Sequence, residues 1–481
     1  MRRRSVRRRC LGLLMVVCLT LTACASSSAV LPPPKPTAPC GWWYAIGDTP
    51  TAAEIDAAAS RYKVVVLNAG ELAAMRRLHA LNPSITVLVY KDLSSTRNYR
   101  GAVNGDVDAQ WLPSGIGYNA AQREHPEWFA TDTAGRRIEW DGYPKHWQMT
   151  VWDQKYQRAW AKAVVNEVVE QGWDGVLADN DFNSLRHYSS AVLAGTKTVA
   201  ETDRLLRDGL DALLTAAGES LHGAGKILVP NVSETRLIPG RWTAHYRFGG
   251  AMEEIFGFRD GGSEELITFR GNEWQELRAQ AALGESWLLL STRVHGSREE
   301  RAGYASAALL AGPMTCWMGA TTDTYTTPEW STLQNAGLGE AVDVATRQPT
   351  GVWTREFTGG WVAVNPTSAV VALTPPEGLV TLEGKPARKV DLPAADGVVL
   401  VRSKPIPTTL RPPPPPPPPP TTTSTPPPPP PPSTSTSDPE PTSTEPVTPT
   451  VPLSPTPTLP APPVVPPPPE PAPTSPAPAE R

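Results

Sequence analysis

The chain has 481 residues, including 56 prolines, and its formal net charge is −4 at pH 7. Six arginines lie within the first nine residues, so the rest of the chain is distinctly acidic and has no basic stripe. This distribution argues against nucleic acid as a partner, because phosphate binding depends on clustered Lys and Arg. The length suits a large barrel with an appended domain.

The N-terminus predicts an export signal. The basic segment "MRRRSVRRRC" precedes the apolar run "LGLLMVVCLTLTA", which is too short to span a bilayer comfortably. The following "LTAC" resembles the lipobox of bacterial lipoproteins, which implies removal of residues 1–23, lipid on Cys24 and a linker over 24–39. Cleavage removes six arginines and no acid, which lowers the net charge from −4 to −10. We expect an exported protein, lipid-anchored to the outer face of the bacterial cell membrane or the cell wall; a plain secretory signal is the alternative.

Residues 40–347 predict a (β/α)8 TIM barrel of the α/β class, because continuous apolar runs that alternate with helical patterns are typical of buried parallel strands. Segment 232–250 shows no good helix. Capping boxes mark three helix starts, at Thr51, Asn272 and Ser297. The eight apolar runs occur at 42–46, 64–68, 85–90, 175–179, 226–231, 251–256, 286–291 and 314–318.

The end of the chain predicts two further regions. Residues 348–404 alternate between apolar and polar residues and contain glycine turns, which indicates a small C-terminal antiparallel β domain. Residues 405–481 are rich in Pro, Thr and Ser and have too few apolar residues to form a core, so we expect a disordered tail with polyproline II character. That tail would reach the cell wall or act only as a solvated spacer.

Two cysteines remain in the predicted fold once the signal is removed. Cys40 lies just ahead of the first strand and Cys316 lies in the eighth, and a closed barrel makes these strands neighbours. Exported cysteine pairs tend to oxidise, so we expect a disulfide between them. The alternative is a buried Cys316 and a free thiol at Cys40.

Polar residues follow the predicted strands, at the end of the barrel where the active sites of this fold lie. Of these, Asn68, Asp92, Asn231 and Arg293 are predicted to bind substrate. The full set comprises Asn68, Lys91, Asp92, Asp179, Asn231, Glu253, Glu254, Arg293, His295 and Asp323.

Two carboxylates are the sharpest signal. Asp179 ends the strand in "GVLADNDF", four residues after Gly175, and Glu254 stands at the same distance from Gly250. Side chains repeat every two residues, so strands that start level would point Asp179 and Glu254 the same way. Glu253 is the alternative if the register differs. Glycoside hydrolases use such a pair of carboxylates for catalysis. The sequence has no metal or nucleotide motif, so we predict neither a metal nor a cofactor.

Aromatic residues also favour a carbohydrate substrate. The chain has 16 Trp against 7 Phe, and many lie in the long insertion after the third strand, at 93–150. Aromatic faces stack on sugar rings, so Trp128, Trp140 and Trp147 are predicted to form subsites; the alternative is that they pack as core.

The stretch "HPEWFATDTAGRRIEWDGYPKHWQMTVWDQKYQRAWAKAVVNEVVEQGWDGVLADND" resembles the segment that leads into the fourth strand of TIM-barrel glycoside hydrolases. The chain is most similar, over about residues 41–365, to hypothetical glycosyl hydrolase family 15, itself distantly similar to endo-polygalactosaminidases and α-galactosidases. The resemblance implies that Asp179 is the nucleophile and that Glu254 or Glu253 is the second carboxylate.

The sequence therefore predicts a glycoside hydrolase that acts on an extracellular polysaccharide or oligosaccharide by two-carboxylate acid/base chemistry. The alternatives are a non-catalytic lipoprotein that binds carbohydrate or cell wall through the same pocket, and a transglycosidase.

Overall fold

The computed structural model describes residues 37–258, 265–321, 325 and 330–403. The predicted signal peptide, the predicted lipid site Cys24, Asp323 and the proline-rich tail lie outside the described residues. Among the described helices, none combines the length and hydrophobicity that crossing a bilayer requires.

Eight parallel strands form a nearly closed, TIM-like barrel, and each of them occurs at one of the predicted apolar runs. The strands are β1 Cys40–Ala45, β2 Tyr62–Leu67, β3 Thr86–Asp92, β4 Gly175–Asp179, β5 Ile227–Pro230, β6 Gly250–Glu253, β7 Trp287–Arg293 and β8 Thr315–Ala320. Their order in the sheet is β5-β4-β3-β2-β1-β8-β7-β6. The two outer strands, β5 and β6, meet through parallel bridges that join Leu228 to Gly249 and Asn231 to Met252.

Helices surround the barrel. The predicted capping box at Thr51 and Glu54 is present, whereas Asn272 makes no side-chain cap and Ser297 is the first helical residue rather than the cap. The weak pattern at 232–250 corresponds to a helix of only six residues. The α-helices of the described residues are α1 Ala52–Arg61, α2 Leu72–Leu81, α3 Tyr118–Glu124, α4 Gln154–Gln171, α5 Val199–Gly223, α6 Arg241–Tyr246, α7 Glu273–Leu283 and α8 Ser297–Leu310.

The alternation of side chains along each strand divides the core into two layers. Tyr44, Tyr90 and Leu177 belong to the cluster that includes Met252 and fills the barrel interior. Their sequence neighbours pack outward against the helices, where Trp160 of α4 is fully buried. Inward-facing positions at the carboxyl ends of the strands therefore point into the barrel mouth.

The insertion at 93–150 folds into small elements of its own. A three-stranded antiparallel sheet forms from Ser95–Arg97, Tyr143–Gln148 and Glu139–Trp140, in that order. Helix α3 and a short hairpin of Val103–Asn104 with Val107–Asp108 complete it. The sheet continues directly from the end of β3, which brings it to the carboxyl end of the barrel.

An antiparallel sheet follows the barrel and packs on α8. The buried Arg355 donates to the carbonyl oxygens of Leu309, at 2.9 Å, and Ala311, at 2.8 Å, and so caps the C-terminus of α8. Whether residues 348–404 form a separate domain stays a prediction. The sheet order is Thr346–Arg347, Trp353–Phe357, Gly360–Asn365, Asp396–Arg402 and Leu379–Val380, and Val371–Leu373 pairs with Val390–Leu392.

A disulfide joins Cys40 to Cys316 across the seam between β1 and β8. Their Cα atoms are 4.3 Å apart, and the two residues are direct cross-strand partners.

Candidate active site

A cavity of about 400 Å³ opens at the carboxyl ends of the barrel strands. It collects five of the residues predicted as catalytic or substrate-binding, namely Asp179, Glu254, Asn231, Arg293 and Trp140. Its other walls come from the end of β1, the insertion, and the segments that follow β4 and β5. The remaining lining residues are Tyr44, Ile46, Tyr90, Arg97, Tyr143, His146, Asn180, Asp181, Phe182, His187, Tyr188, Ser233, Glu234, Ile255 and Tyr325.

Asn231 connects the two carboxylates. Its Nδ2 donates to Oδ1 of Asp179 at 3.1 Å and to Oε2 of Glu254 at 2.7 Å. Because both oxygens contact one nitrogen, these two distances together set an upper limit of about 5.8 Å on their separation. Asp179 and Glu254 thus face each other across the cavity from β4 and the end of β6.

Ser233 fixes the orientation of the Asn231 amide. The Ser233 hydroxyl donates to Oδ1 of Asn231 at 2.8 Å, which leaves the amide nitrogen toward the carboxylates. The same hydroxyl oxygen accepts the backbone N–H of Glu254 at 2.7 Å. One side chain therefore orients both the bridging amide and the backbone that carries the second carboxylate.

Asp179 accepts hydrogen bonds on both oxygens. The backbone N–H of Asn180 donates to Oδ1 at 2.8 Å, and the hydroxyl of Tyr90 donates to Oδ2 at 2.7 Å. These donors favour the ionised carboxylate. Burial and the charges on Glu254 and Asp92 outweigh them and raise the pKa of Asp179 to about 6.

Tyrosines form the floor of the cavity. The Tyr325 hydroxyl donates to Oε1 of Glu254 at 2.5 Å, and the Tyr325 ring packs on Tyr44 with 4.8 Å between centroids. Burial and the charges on Asp179 and Glu254 raise the pKa of Tyr44 well above its usual value, so its hydroxyl stays protonated and can donate. Each carboxylate therefore has its own tyrosine donor, Tyr90 or Tyr325.

The polar run that ends β4 has three separate destinations. All three residues contribute to the cavity lining. Asp179 contacts the bridging Asn231 amide, whereas Asn180 takes a left-handed backbone conformation with φ of 68° and accepts the Tyr188 hydroxyl at 2.6 Å. Asp181 is buried and forms an ion pair with Arg241 at 3.0 Å. The run is thus neither a solvated turn nor wholly catalytic.

Glu253 does not line the cavity. It is fully buried on the outer face of β6, since adjacent strand residues point to opposite sides. Its Oε1 accepts the backbone N–H of Ile255 at 3.1 Å and lies 3.8 Å from Nη1 of Arg236. Of the two candidates for the second carboxylate, only Glu254 faces Asp179.

Asn68 and Asp92 are two predicted substrate contacts that the structure keeps out of the cavity lining. Asn68 donates instead to the carbonyl of Ile46 at 3.0 Å. Asp92 is fully buried and accepts from Ser95, at 2.7 Å, and from Arg97, at 2.9 Å. These contacts correct the expectation, because both side chains are occupied by local structure, although Asp92 holds Arg97 at the cavity wall.

The three predicted subsite tryptophans have different positions. Trp140 lines the cavity and stacks on Tyr188 with 3.9 Å between centroids. Trp128 stacks on His125 and is buried, and Trp147 donates to Asn98 at 2.9 Å; neither lines the cavity. Trp128 therefore packs as core, which was the alternative interpretation, whereas Trp147 is only partly buried and its role as a subsite stays a prediction.

Several lining residues were not anticipated. Tyr44 and Tyr90 lie inside apolar strands, where an aromatic residue has the same pattern as core. Their inward phase with Asp179 is the signal that could have found them. His187 ends a three-residue 3-10 helix and Glu234 directly precedes another, and no periodicity marks either residue.

Within the described residues, no group of three or more His, Cys, Asp or Glu side chains is arranged to hold a metal ion. The arrangement instead offers two carboxylates, hydroxyl and amide donors, and aromatic walls.

A parallel barrel with paired carboxylates at the carboxyl ends of its strands has the architecture of a glycoside hydrolase. The model of hypothetical glycosyl hydrolase family 15 matches residues 79–361, which is more than half of the chain. The chain belongs to this family, and glycoside hydrolase is its class of enzyme.

The solved structures to which the chain is similar include glycoside hydrolases. The glycoside hydrolase domain of PelA from Pseudomonas aeruginosa is 15% identical to this chain and gives a TM-score of 0.37. The match covers 60% of this chain and 96% of that chain. A cycloalternan-degrading enzyme from Trueperella pyogenes is 11% identical to this chain and gives a TM-score of 0.39. The match covers 76% of this chain and 62% of that chain. No curated protein matches the chain.

Proposed function

We propose that this protein hydrolyses glycosidic bonds with Asp179 as nucleophile and Glu254 as general acid and base. The observation that carries the proposal is the Asn231 amide, which contacts both carboxylates. Retaining glycosidases have carboxyl groups about 5–5.5 Å apart, whereas inverting enzymes need roughly 6.5–9.5 Å to admit a water. The short separation therefore favours retention of configuration.

The proposed reaction has two steps. Asp179 attacks the anomeric carbon while Glu254 gives its proton to the leaving oxygen, which breaks the glycosidic bond and forms a glycosyl ester. Glu254 then takes a proton from water, and the water oxygen displaces Asp179 from the anomeric carbon. No cofactor enters this sequence.

The aromatic wall supports a sugar ligand. Trp140 and Tyr188 stack on each other, and Tyr143 lies edge-on to Tyr188 at 5.4 Å between centroids. Tyr143 is 52% exposed although it lines the cavity, so its ring is available to a ligand. Exposed aromatic rings beside polar groups are suited to sugar stacking.

The proposed substrate is an extracellular polysaccharide or oligosaccharide, and the proposed location is the outer face of the bacterial membrane. Both rest on the signal sequence and on Cys24 as the lipid site, and the Pro-rich tail would contact the cell wall.

Release of reducing ends from α-linked galactosides, galactosaminides and glucans tests the proposal. We expect Asp179→Asn to remove nearly all turnover, because the nucleophile is lost. The same substitution should raise Tm, because ionising this carboxyl in the folded protein costs on the order of 3 kcal/mol at pH 7. Asp208→Asn, on the exposed face of α5, is the matched control and should change neither quantity. Proton NMR of the first product identifies its anomer.

Full activity of Asp179→Asn, or an inverted first product, would contradict the proposed mechanism. Tight sugar binding by the wild-type protein without turnover of any substrate would favour a non-catalytic carbohydrate-binding lipoprotein.

A further inference from the structure

His187 forms a polar pair with Glu234 in the cavity wall. Its Nδ1 lies 2.8 Å from Oε1 of Glu234, and both residues line the cavity that holds Asp179 and Glu254. The His187 side chain is 41% exposed, so a bound molecule can reach it.

Both partners of the pair are held in place. The second oxygen of Glu234 accepts the backbone N–H of Asn183 at 2.7 Å. His187 ends a 3-10 helix whose start is tied to Asp203, because Ser184 Oγ donates to Asp203 at 2.9 Å. The imidazole is therefore positioned from two sides, as a residue in a preformed site would be.

The second ring nitrogen faces a different environment. Among the described residues, Nε2 of His187 has no hydrogen-bond partner, while Nδ1 is occupied by Glu234. Three carboxyl groups face the ring, those of Glu234, Asp179 and Glu254. Partial burial lowers the pKa of His187, but the hydrogen bond to Glu234 and the negative charges of Glu234 and Asp179 outweigh it and raise the pKa above its usual value.

We propose that His187 is a substrate-contacting residue whose Nε2 donates a hydrogen bond to a hydroxyl of the sugar bound beside Asp179 and Glu254. The inference rests on the proposed function. Because Nδ1–H is committed to Glu234, Nε2 carries a proton only in the imidazolium form. Glu234 thus has two effects: it orients the ring and keeps it charged.

Two isosteric substitutions separate contact from packing. Asn at position 187 places its amide near Nδ1 and keeps the Glu234 contact, whereas Gln places its amide near Nε2 and keeps the donor toward substrate. We expect His187→Asn to lower kcat/KM roughly 10- to 100-fold, the size of a lost hydrogen bond to a charged donor. His187→Gln should retain most of the activity.

A merely structural role for His187 predicts the reverse order, since Asn would then be the harmless change. Equal loss in both variants, or no loss in either, would also overturn the proposal.

The pH profile gives a second readout. Loss of the His187 proton should add to the fall in kcat/KM that deprotonation of the general acid Glu254 causes at high pH, and this added part should be absent from His187→Gln, whose amide does not titrate. Glu234→Gln removes one of the charges that hold this proton, so the alkaline limb should move to lower pH. An alkaline limb that stays unchanged in Glu234→Gln would contradict the inference.

His79→Asn is the control variant. His79 also pairs with a carboxylate, Asp174 at 2.9 Å, but on α2 at the opposite end of the barrel, and its substitution should leave kcat/KM unchanged. Circular dichroism checks that every variant is folded.

Calorimetric binding of the same oligosaccharides separates this inference from the proposed function. If Asp179→Asn loses turnover while His187→Asn keeps the kcat/KM of the wild type, only the role of His187 is refuted. A wild type that binds sugars without cleaving them would refute the hydrolase proposal, and His187→Asn should then still weaken binding. A wild type that neither cleaves nor binds them would overturn both.

Discussion

The surroundings of Asp179 have opposing effects on its pKa. Burial and the nearby negative charges favour its protonated form, whereas donors such as the Tyr90 hydroxyl favour the carboxylate. Tyr90 in turn accepts from Nη2 of Arg97 at 2.9 Å, and Asp92 pairs with the same guanidinium. Asp92 therefore acts on the candidate nucleophile directly through its charge and indirectly through Arg97 and Tyr90, and not by touching substrate.

We expect Tyr90→Phe to move the acidic limb of the kcat/KM profile to higher pH. The wild-type limb should lie near pH 6, because Asp179 must be ionised to attack and its pKa is raised to about 6. Loss of a hydrogen bond to a charged group, about 1.5–3 kcal/mol, raises that pKa by roughly 1–2 units. Kinetics between pH 4 and 9 measure the shift.

Tyr246→Phe is the matched control, since its hydroxyl donates to the carbonyl of Ser286 at 2.7 Å, away from the cavity. An acidic limb that is the same in Tyr90→Phe and wild type would show that Tyr90 does not tune Asp179.

The carboxylates could be found from sequence because a strand has a period of two. The two strands do not start level, since Leu228 pairs with Val176 on one side and bridges Gly249 on the other, but an offset of two residues leaves Asp179 and Glu254 in the same phase. The tyrosines are harder to find, since Tyr90 inside an apolar strand has the same pattern as core and only its inward phase distinguishes it. Whether it lines a cavity depends on contacts with Arg97 of the insertion, which no local pattern encodes.

At the scale of elements, the segment after β4 is tied to the helix layer. Asp181 pairs with Arg241 and His245 of α6, and His245 Nε2 lies 2.8 Å from Oδ1 of Asp211 on α5. Helix α6 is too short to be stable by itself, so it depends on these ion pairs. The same ion pairs hold the chain that follows Asp179. The sequence pattern misses α6 for the same reason: its position comes from buried ion pairs rather than from an apolar stripe.

We expect the His245 network to make stability depend on pH in the alkaline range. Burial lowers the pKa of His245, but Asp181 and Asp211 outweigh it and raise the pKa to about 9. The folded state therefore binds the proton more tightly than the unfolded state. The stabilisation, on the order of 3 kcal/mol, is complete below pH about 6.5 and is lost as pH rises to about 9.

Unfolding by denaturant between pH 6 and 9.5 measures this dependence. The difference in unfolding free energy between wild type and His245→Gln should shrink as pH rises, whereas His222→Gln, at an exposed position of α5, should match wild type throughout. A difference that is constant with pH would show that His245 is not charged in the fold.

At the scale of the whole molecule, the barrel could be predicted because eight buried parallel strands produce eight continuous apolar runs. The roles of the tryptophans could not, since Trp140 and Trp128 are both buried and only contacts with segments distant in sequence decide which of them lines the cavity. The barrel is also unevenly closed: β5 and β6 meet through isolated bridges, and β1 pairs with β8 at two residue positions, Cys40 with Cys316 and Gly41 with Trp317.

The disulfide between Cys40 and Cys316 strengthens that short β1–β8 seam. It links residues 276 apart in sequence, so it removes much of the freedom of the unfolded chain. On the chain-entropy model, a loop of this length corresponds to about 5 kcal/mol, an upper value that native-state strain reduces. We expect Cys40→Ser with Cys316→Ala to lower the free energy of unfolding by several kcal/mol while leaving kcat/KM nearly unchanged, because neither residue lines the cavity.

Denaturant unfolding with and without reductant tests this. Reductant should destabilise the wild type to about the level of the double variant and leave the double variant itself unaffected. Two free thiols in the unreduced, denatured protein once the signal and Cys24 are removed, or equal stability of wild type and double variant, would contradict the prediction. The seam would then be held by its backbone hydrogen bonds and by the packing of Trp317 alone.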